Sequence, residues 1–282
     1  MELRTYSFTG HKIGDKVNAC YQLSYYKEKG LDFILIDPSY KDANSFPVKR
    51  FFPNISNFIL EVPPESKQSD QIFLELSSKF PSMGFGNLWI SAPSLKQDTG
   101  YLPSMSIPSY VKDFQSSLKF EVGKSFKKSD YKHIIVNHCL VDAPYNVRRN
   151  HDYSQWNMFF NLVRNYIEDN NLPCLVIDIP INYMLPVWQI IAIIDLGDIF
   201  VGGDTGFTHI AAALHKNIIA IYCDDMIEGG DVKSFEPEKI RMGASHSWSS
   251  DPISNMYKKF LLDDNHKFNK EEVFEHLKTL LI

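Results

Sequence analysis

Between Asp198 and Leu214 the chain reads DIFVGGDTGFTHIAAAL, a run whose residue types suit a phosphate-bearing ligand. Gly202, Gly203 and Gly206 fall in one short turn, and glycine lets backbone N–H groups approach a ligand without a Cβ in the way. The Ala-rich run that follows predicts a helix, whose N-terminal donors and partial positive charge favour a phosphate or diphosphate. Asp204 and Thr205 add a carboxylate and a hydroxyl, and His209 follows in the first turn of that helix. Each has a plainer reading: Asp204 or Thr205 as the helix N-cap, His209 as a packed histidine on the helix surface. Two other loops gather polar groups. SFTGHKIGDKVN carries His11, Lys12, Gly14 and Asp15 ahead of a helix beginning near Lys16, and Asp15 can simply complement that helix's dipole. HCLVDAPYNVRRNHDYS carries Arg148, Arg149 and His151, and a guanidinium fork suits bidentate phosphate contact. The adjacent acids Asp224 and Asp225 have no companion His/Asp set at ligand spacing, so no metal is expected.

These loops need strands to present them, and strand-like runs alternate with helical ones along the chain. Leu3–Phe8, Asp32–Asp37, Phe58–Val62 and Asn87–Ser91 read as strands, with helices predicted over Lys16–Lys29, Gln68–Lys79 and Ser109–Leu118. A second series follows: strand His133–Asn137, helix Ser154–Asp169, strand Cys174–Asp178, helix Leu185–Leu196, strand Ile199–Gly202, helix Thr208–Leu214 and strand Ile218–Tyr222. Asn269 with Glu272 forms a capping box for a terminal helix, and Val273, Leu277, Leu280 and Leu281 line one face of it. The βαβ alternation implies an α/β fold with parallel sheets covered on both faces. The polar, weakly patterned stretch Glu121–Lys132 reads as a linker, dividing the chain into domains 1–122 and 123–282. Ligands in such sheets lie beyond the carboxyl ends of the strands, so the three loops are expected to converge on a cleft between the two domains.

Composition is compatible with this. The 282 residues are 44% apolar and 22% charged, as in ordinary soluble globular proteins. A net charge of −5 argues against a generally basic nucleic-acid-binding surface, while leaving room for a local basic groove. The longest apolar runs fall short of a membrane span, and the first residues carry no secretory h-region, so a cytoplasmic location is expected. Cys20, Cys139, Cys174 and Cys223 are scattered, with no CxxC pair, and read as reduced thiols. Trp89, Trp156, Trp188 and Trp248 read as packing residues rather than a stacking platform for bases.

VGGDTGFTHIAAAL, continuing into HKNIIAIY, resembles the signature of glycosyltransferase family 9, the heptosyltransferase family. That signature is a strand, a D-[ST]-G-x-x-H turn, an Ala-rich helix and a strand; Asp204, Thr205, Gly206 and His209 match it position for position. IGDKVNACYQL is similar to the family's G-D element at Gly14 and Asp15, and NVRRNHDYSQWNMFFNLV resembles loosely its basic segment. There the family commonly offers a lysine followed by Trp-Pro; this chain has Arg-Arg-Asn-His-Asp-Tyr-Ser, and His151 could stand in the lysine's place.

The resemblance implies a GT-B architecture: two Rossmann-like parallel-sheet domains facing across a cleft, here with a packed C-terminal helix. It also implies inverting, metal-independent transfer of a sugar from a nucleotide-diphosphate sugar to an acceptor hydroxyl, in lipopolysaccharide or surface-glycan assembly. Asp15 would then be the general base, beside an acceptor-side loop of His11, Lys12 and Gly14. Asp204, Thr205, Gly206 and His209 would hold the donor, with Arg148, Arg149 or His151 on the diphosphate. No cofactor is implied. The partners are the nucleotide sugar and a saccharide or other hydroxyl-bearing acceptor, with room for peripheral membrane contact. Other readings compatible with the residues are a nucleobase or protein glycosyltransferase, a sugar-nucleotide epimerase, and a catalytically silent nucleotide- or glycan-binding protein.

Overall fold

The computed structural model describes residues 5–8, 13–14, 16–17, 20, 33–37, 48–61, 105–120, 125–141, 150–179, 185–203, 205–223 and 256–282. The predicted strand Asn87–Ser91 and helix Gln68–Lys79 lie outside these residues. The chain divides into two compact units: Met1–Pro108 with Phe235–Ile253, and Ser109–Ser234 with Ser254–Ile282.

The first unit holds a parallel sheet of β1 (Thr5–Phe8), β2 (Phe33–Asp37) and β3 (Ile59–Glu61), in that order. A short helix α1 (Val48–Phe51) and a 3-10 turn (Pro53–Phe58) lead into β3. Phe51, Phe52 and Ile55 bury their side chains there, and the Ser106 N–H donates to Phe51 O at 2.7 Å.

The second unit contains the run of elements that the sequence marks most clearly. Its strands are β4 (His133–His138), β5 (Cys174–Asp178), β6 (Ile199–Gly202), β7 (Asn217–Cys223) and β8 (Tyr257–Leu262). They lie in the order β5-β4-β6-β7-β8, with every neighbouring pair parallel. The crossovers are α3 (Tyr153–Asp169), α4 (Val187–Leu196) and α5 (Gly206–Ala213), and α6 (Lys270–Leu281) closes the chain. Counted from β4, this is the doubly wound 2-1-3-4-5 order.

Successive strand residues alternate between the two faces of the sheet. Ile135, Ile199, Val201, Ile219, Ile221, Phe260 and Leu262 form one core with Trp156, Phe159, Phe160 and Val163 of α3 and with Val273, Leu277 and Leu281 of α6. Helices α4 and α5 pack against each other, α4 against β4, and α5 against β6 and β7. All four β6 residues are buried, as a central parallel strand covered on both faces requires.

Helix α4 is apolar nearly all round (VWQIIAIIDL), which calls for burial on more than one side. α2 (Ser109–Ser117) supplies the second cover: Tyr110 and Phe114 meet the Trp188 ring edge-on at 5.5 and 5.2 Å. Gln115 Nε2 donates to Ala192 O at 2.9 Å and to Asp195 Oδ2 at 2.8 Å. So α2, which precedes the linker Glu121–Lys132 in sequence, packs with the second unit. The predicted N-cap of the last helix is present: Asn269 Oδ1 accepts from the Glu272 N–H at 3.2 Å. Strand β8 goes beyond the sequence-predicted elements. No helix among the described residues is long and apolar enough to cross a membrane.

Candidate active site

In a doubly wound sheet the binding crevice opens where successive crossovers leave in opposite directions, outside the carboxyl ends of the strands flanking that point. Here the flanking strands are β4 and β6, with His138 opposite Gly202 at their ends. The chain leaves β6 through Gly203 into α5, so topology alone brings the glycine-rich turn to the switch point.

The turn is closed on itself. Gly203 O accepts from the Thr205 N–H at 2.9 Å and from Thr208 Oγ1 at 2.5 Å. Thr205 is the N-cap of α5: its Oγ1 accepts from the Phe207 N–H at 3.3 Å, and its carbonyl accepts from the Thr208 N–H at 3.1 Å. The helix begins at Gly206, earlier than the predicted Thr208. Of Thr205 and Gly206, both expected to hold the donor, Thr205 has its amide engaged within the turn. His209 is buried, as is every α5 residue from Phe207 to Ala213.

The glycines answer to what lies beneath them. A Cβ on Gly202 would sit 2.7 Å from a ring carbon of Phe200. A Cβ on Gly203 would sit 2.8 Å from His151 Cε1 and 3.0 Å from its Nε2. Close packing under the turn therefore demands both glycines before any ligand does.

His151 immediately precedes Asp152, whose carboxylate caps α3 by accepting from the Gln155 N–H at 3.0 Å. It does not project into a polar loop: it is 4% exposed and both ring nitrogens meet backbone. Nδ1 accepts from the Leu140 N–H at 3.0 Å, and Nε2 lies 3.1 Å from Ile221 O. That pairing selects the neutral tautomer with its proton on Nε2. The ring stacks on Trp156 with centroids 4.4 Å apart and planes at 13°. Burial, helped by the charge of His266 and opposed by the Ile221 bond, holds the pKa down at about 4. His138, edge-on to Phe207 at 5.0 Å, is pushed to about 3 by burial and then by His151. Both rings are neutral near pH 7. His151 thus has its hydrogen-bonding capacity directed at the scaffold rather than at a diphosphate.

Polar groups at the end of β4 continue the network. The Trp156 indole N–H donates to Asn137 Oδ1 at 3.3 Å, and the Asn137 amide donates to Asp178, which also pairs with Arg164 at 2.6 Å. Asn137 and Trp156 were not among the sequence-derived site residues. The only signal for Asn137 is its place at the carboxyl end of a predicted strand. Burial drives the Cys139 thiol up to about 12, so it is protonated and inert. Asp204, Arg148, Arg149, Asp15, Lys12 and His11 lie outside the described residues. Gly14 is half-buried in a helical segment of the first unit, beside the buried Lys16.

Residues 185–229 match the model of glycosyltransferase family 9 (heptosyltransferase), which covers α4 through the end of β7 and includes the whole turn. No curated protein sequence matches the chain. Among solved structures, the chain is similar to E. coli ADP-heptose lipopolysaccharide heptosyltransferase II. The TM-score is 0.53 at 12% identity, covering 100% of this chain and 98% of that one. It is also similar to E. coli heptosyltransferase WaaC with ADP-2-deoxy-2-fluoro heptose, with TM-score 0.52 at 11% identity, covering 99% and 100%. The fold is thus the α/β GT-B fold of those two structures. Within it, the match to the family 9 model is carried by residues 185–229, a segment that contains Asp204–His209.

Proposed function

We propose that the chain transfers a sugar from a nucleotide-diphosphate donor to an acceptor hydroxyl during lipopolysaccharide-type glycan assembly, with inversion and without a metal. The observation that carries this reading is the coincidence of signature and topology. The D-T-G-x-x-H segment lies within the family match and leaves β6 at the switch point of the sheet. In this reading the donor diphosphate lies at the N-terminus of α5, where Gly206 is the first residue, and the signature residues Asp204 and His209 bind the donor. Preorganised donors there stabilise the charge that grows on the leaving diphosphate as the glycosidic bond breaks. Arg148 or Arg149 supplies the compensating positive charge. Asp15, matched only through the G-D element, removes the proton from the acceptor oxygen as that oxygen attacks the anomeric carbon from the opposite face.

A thermal-shift panel of ADP, GDP, UDP and CMP, followed by their sugar conjugates, tests the donor half. A ligand at 100 times its Kd raises stability by about 2.7 kcal/mol. Silence across the panel removes the donor assignment. With the donor in hand, Asp15→Asn is expected to abolish transfer while leaving nucleotide affinity within twofold. Full transfer by that variant removes the base assignment, and loss of transfer on EDTA treatment removes metal independence.

A further inference from the structure

We infer that His151 is a positioning residue for the donor turn, its ring serving as the wedge that sets where Gly203, and through it the start of α5, can lie. The inference rests on the donor reading above and adds a residue outside the signature. Three strand ends meet at this ring: Leu140 after β4, Ile221 in β7 and Gly203 after β6. Backbone partners on both nitrogens remove its freedom to rotate. The Trp156 face blocks displacement to one side, and Trp156 is itself held by Asn137 at the end of β4. An added Cβ at position 203 therefore meets an edge that cannot swing away, and the turn must move instead. Because Gly203 O anchors both the Thr205 N–H and Thr208 Oγ1, moving Gly203 displaces the N-cap of α5. The glycine at 203 and the histidine at 151 are thus one specification written in two places.

Complementary substitution in the full chain separates this from a general packing role. His151→Asn keeps an acceptor in the place of Nδ1 for the Leu140 N–H, but removes the Cε1 and Nε2 atoms that a Cβ added at position 203 would strike. Two readouts are used: hydrogen exchange of backbone amides in 202–210 without ligand, and the Kd for ADP by calorimetry. Gly203→Ala is expected to speed exchange in the turn at least tenfold and to weaken ADP binding at least tenfold. Adding His151→Asn to Gly203→Ala is expected to return both to within threefold of the His151→Asn single variant. If Gly203→Ala does not fold alone, recovery of folded protein in the double variant is the same rescue, and failure of both variants to fold overturns the inference. It is also overturned if Gly203→Ala exchanges within twofold of the unmodified chain, or if the defects of the double variant are the product of the single ones. If the unmodified chain does not bind ADP, an adenine donor is refuted, while the exchange comparison still decides the role of His151.

Discussion

Acidification from pH 8 to pH 5 should destabilise the second unit through its two buried histidines, well before most carboxylates titrate. A histidine ordinarily takes a proton near pH 6.5, whereas His151 is held at about 4 and His138 at about 3. Between those values the unfolded chain binds protons that the folded chain refuses, so stability rises with pH across the window and falls as pH drops. The contribution is complete above pH 6.5. It is lost progressively down to about pH 4 for His151 and about pH 3 for His138. At pH 5 each histidine should cost about 2 kcal/mol relative to pH 8. Together that is a large part of an ordinary domain's 5–15 kcal/mol. Protonation of His151 has a local meaning too, because a proton on Nδ1 would face the Leu140 N–H and cancel that hydrogen bond. Urea denaturation of the unmodified chain and of His151→Asn at pH 8, 6 and 5, followed by tryptophan fluorescence, isolates the His151 share. The variant begins less stable, having lost the bond to Ile221 O, but its stability should fall about 2 kcal/mol less over the same window. Parallel pH profiles for the two proteins would refute the assignment of a buried, neutral His151.

Trp156→Ala should cost about 3–5 kcal/mol by denaturation, since the indole fills the space between His151, Phe160 and Phe268 and supplies the donor to Asn137. Trp156→Phe, which keeps most of the apolar volume, should cost clearly less; equal losses would exclude a packing role. Gly206→Ala should stabilise the fold by about 0.5 kcal/mol, because alanine is the better helix former, yet weaken ADP binding severalfold if the diphosphate approaches this backbone. A variant with improved stability and unchanged ADP affinity would move the donor away from the start of α5.

Much of the second unit is legible in the sequence because its strands are short apolar runs bounded by turns, as in HIIVN, CLVID and IFVG. Strand β8, YKKFLL, is not, because its first half is charged. Its burial alternates only once Phe260 and Leu262 face the core, while Lys259 lies over the Tyr222 ring and Lys258 over that of Phe260. Lysines suit a strand at the end of a sheet, where they discourage pairing with another chain, but in sequence they look like a loop. Helix α2 shows the complementary limit. Periodicity locates the helix, but not its partner, and contacts such as Gln115 with Asp195 are fixed only by the tertiary fold.

The turn shows why residue types alone give only part of the roles at such a site. Three glycines, a threonine and a nearby histidine all invite a ligand, and most have a local task that sequence cannot display because the partner is a backbone atom or a distant ring. Thr205 caps α5, Gly202 makes room for Phe200, and Gly203 makes room for His151. His151 itself reads as a loop cation beside two arginines, yet its partners are the Leu140 amide and the Ile221 carbonyl, groups that nearly every residue possesses. These tasks do not compete with binding. A helix N-terminus stabilises growing negative charge only if its donors are already fixed where the charge will appear, since donors that must reorganise lose the advantage in doing so. Packing that leaves the turn one place to lie is the physical condition for α5 to act on a diphosphate, so the scaffold roles and the proposed donor role are parts of one design.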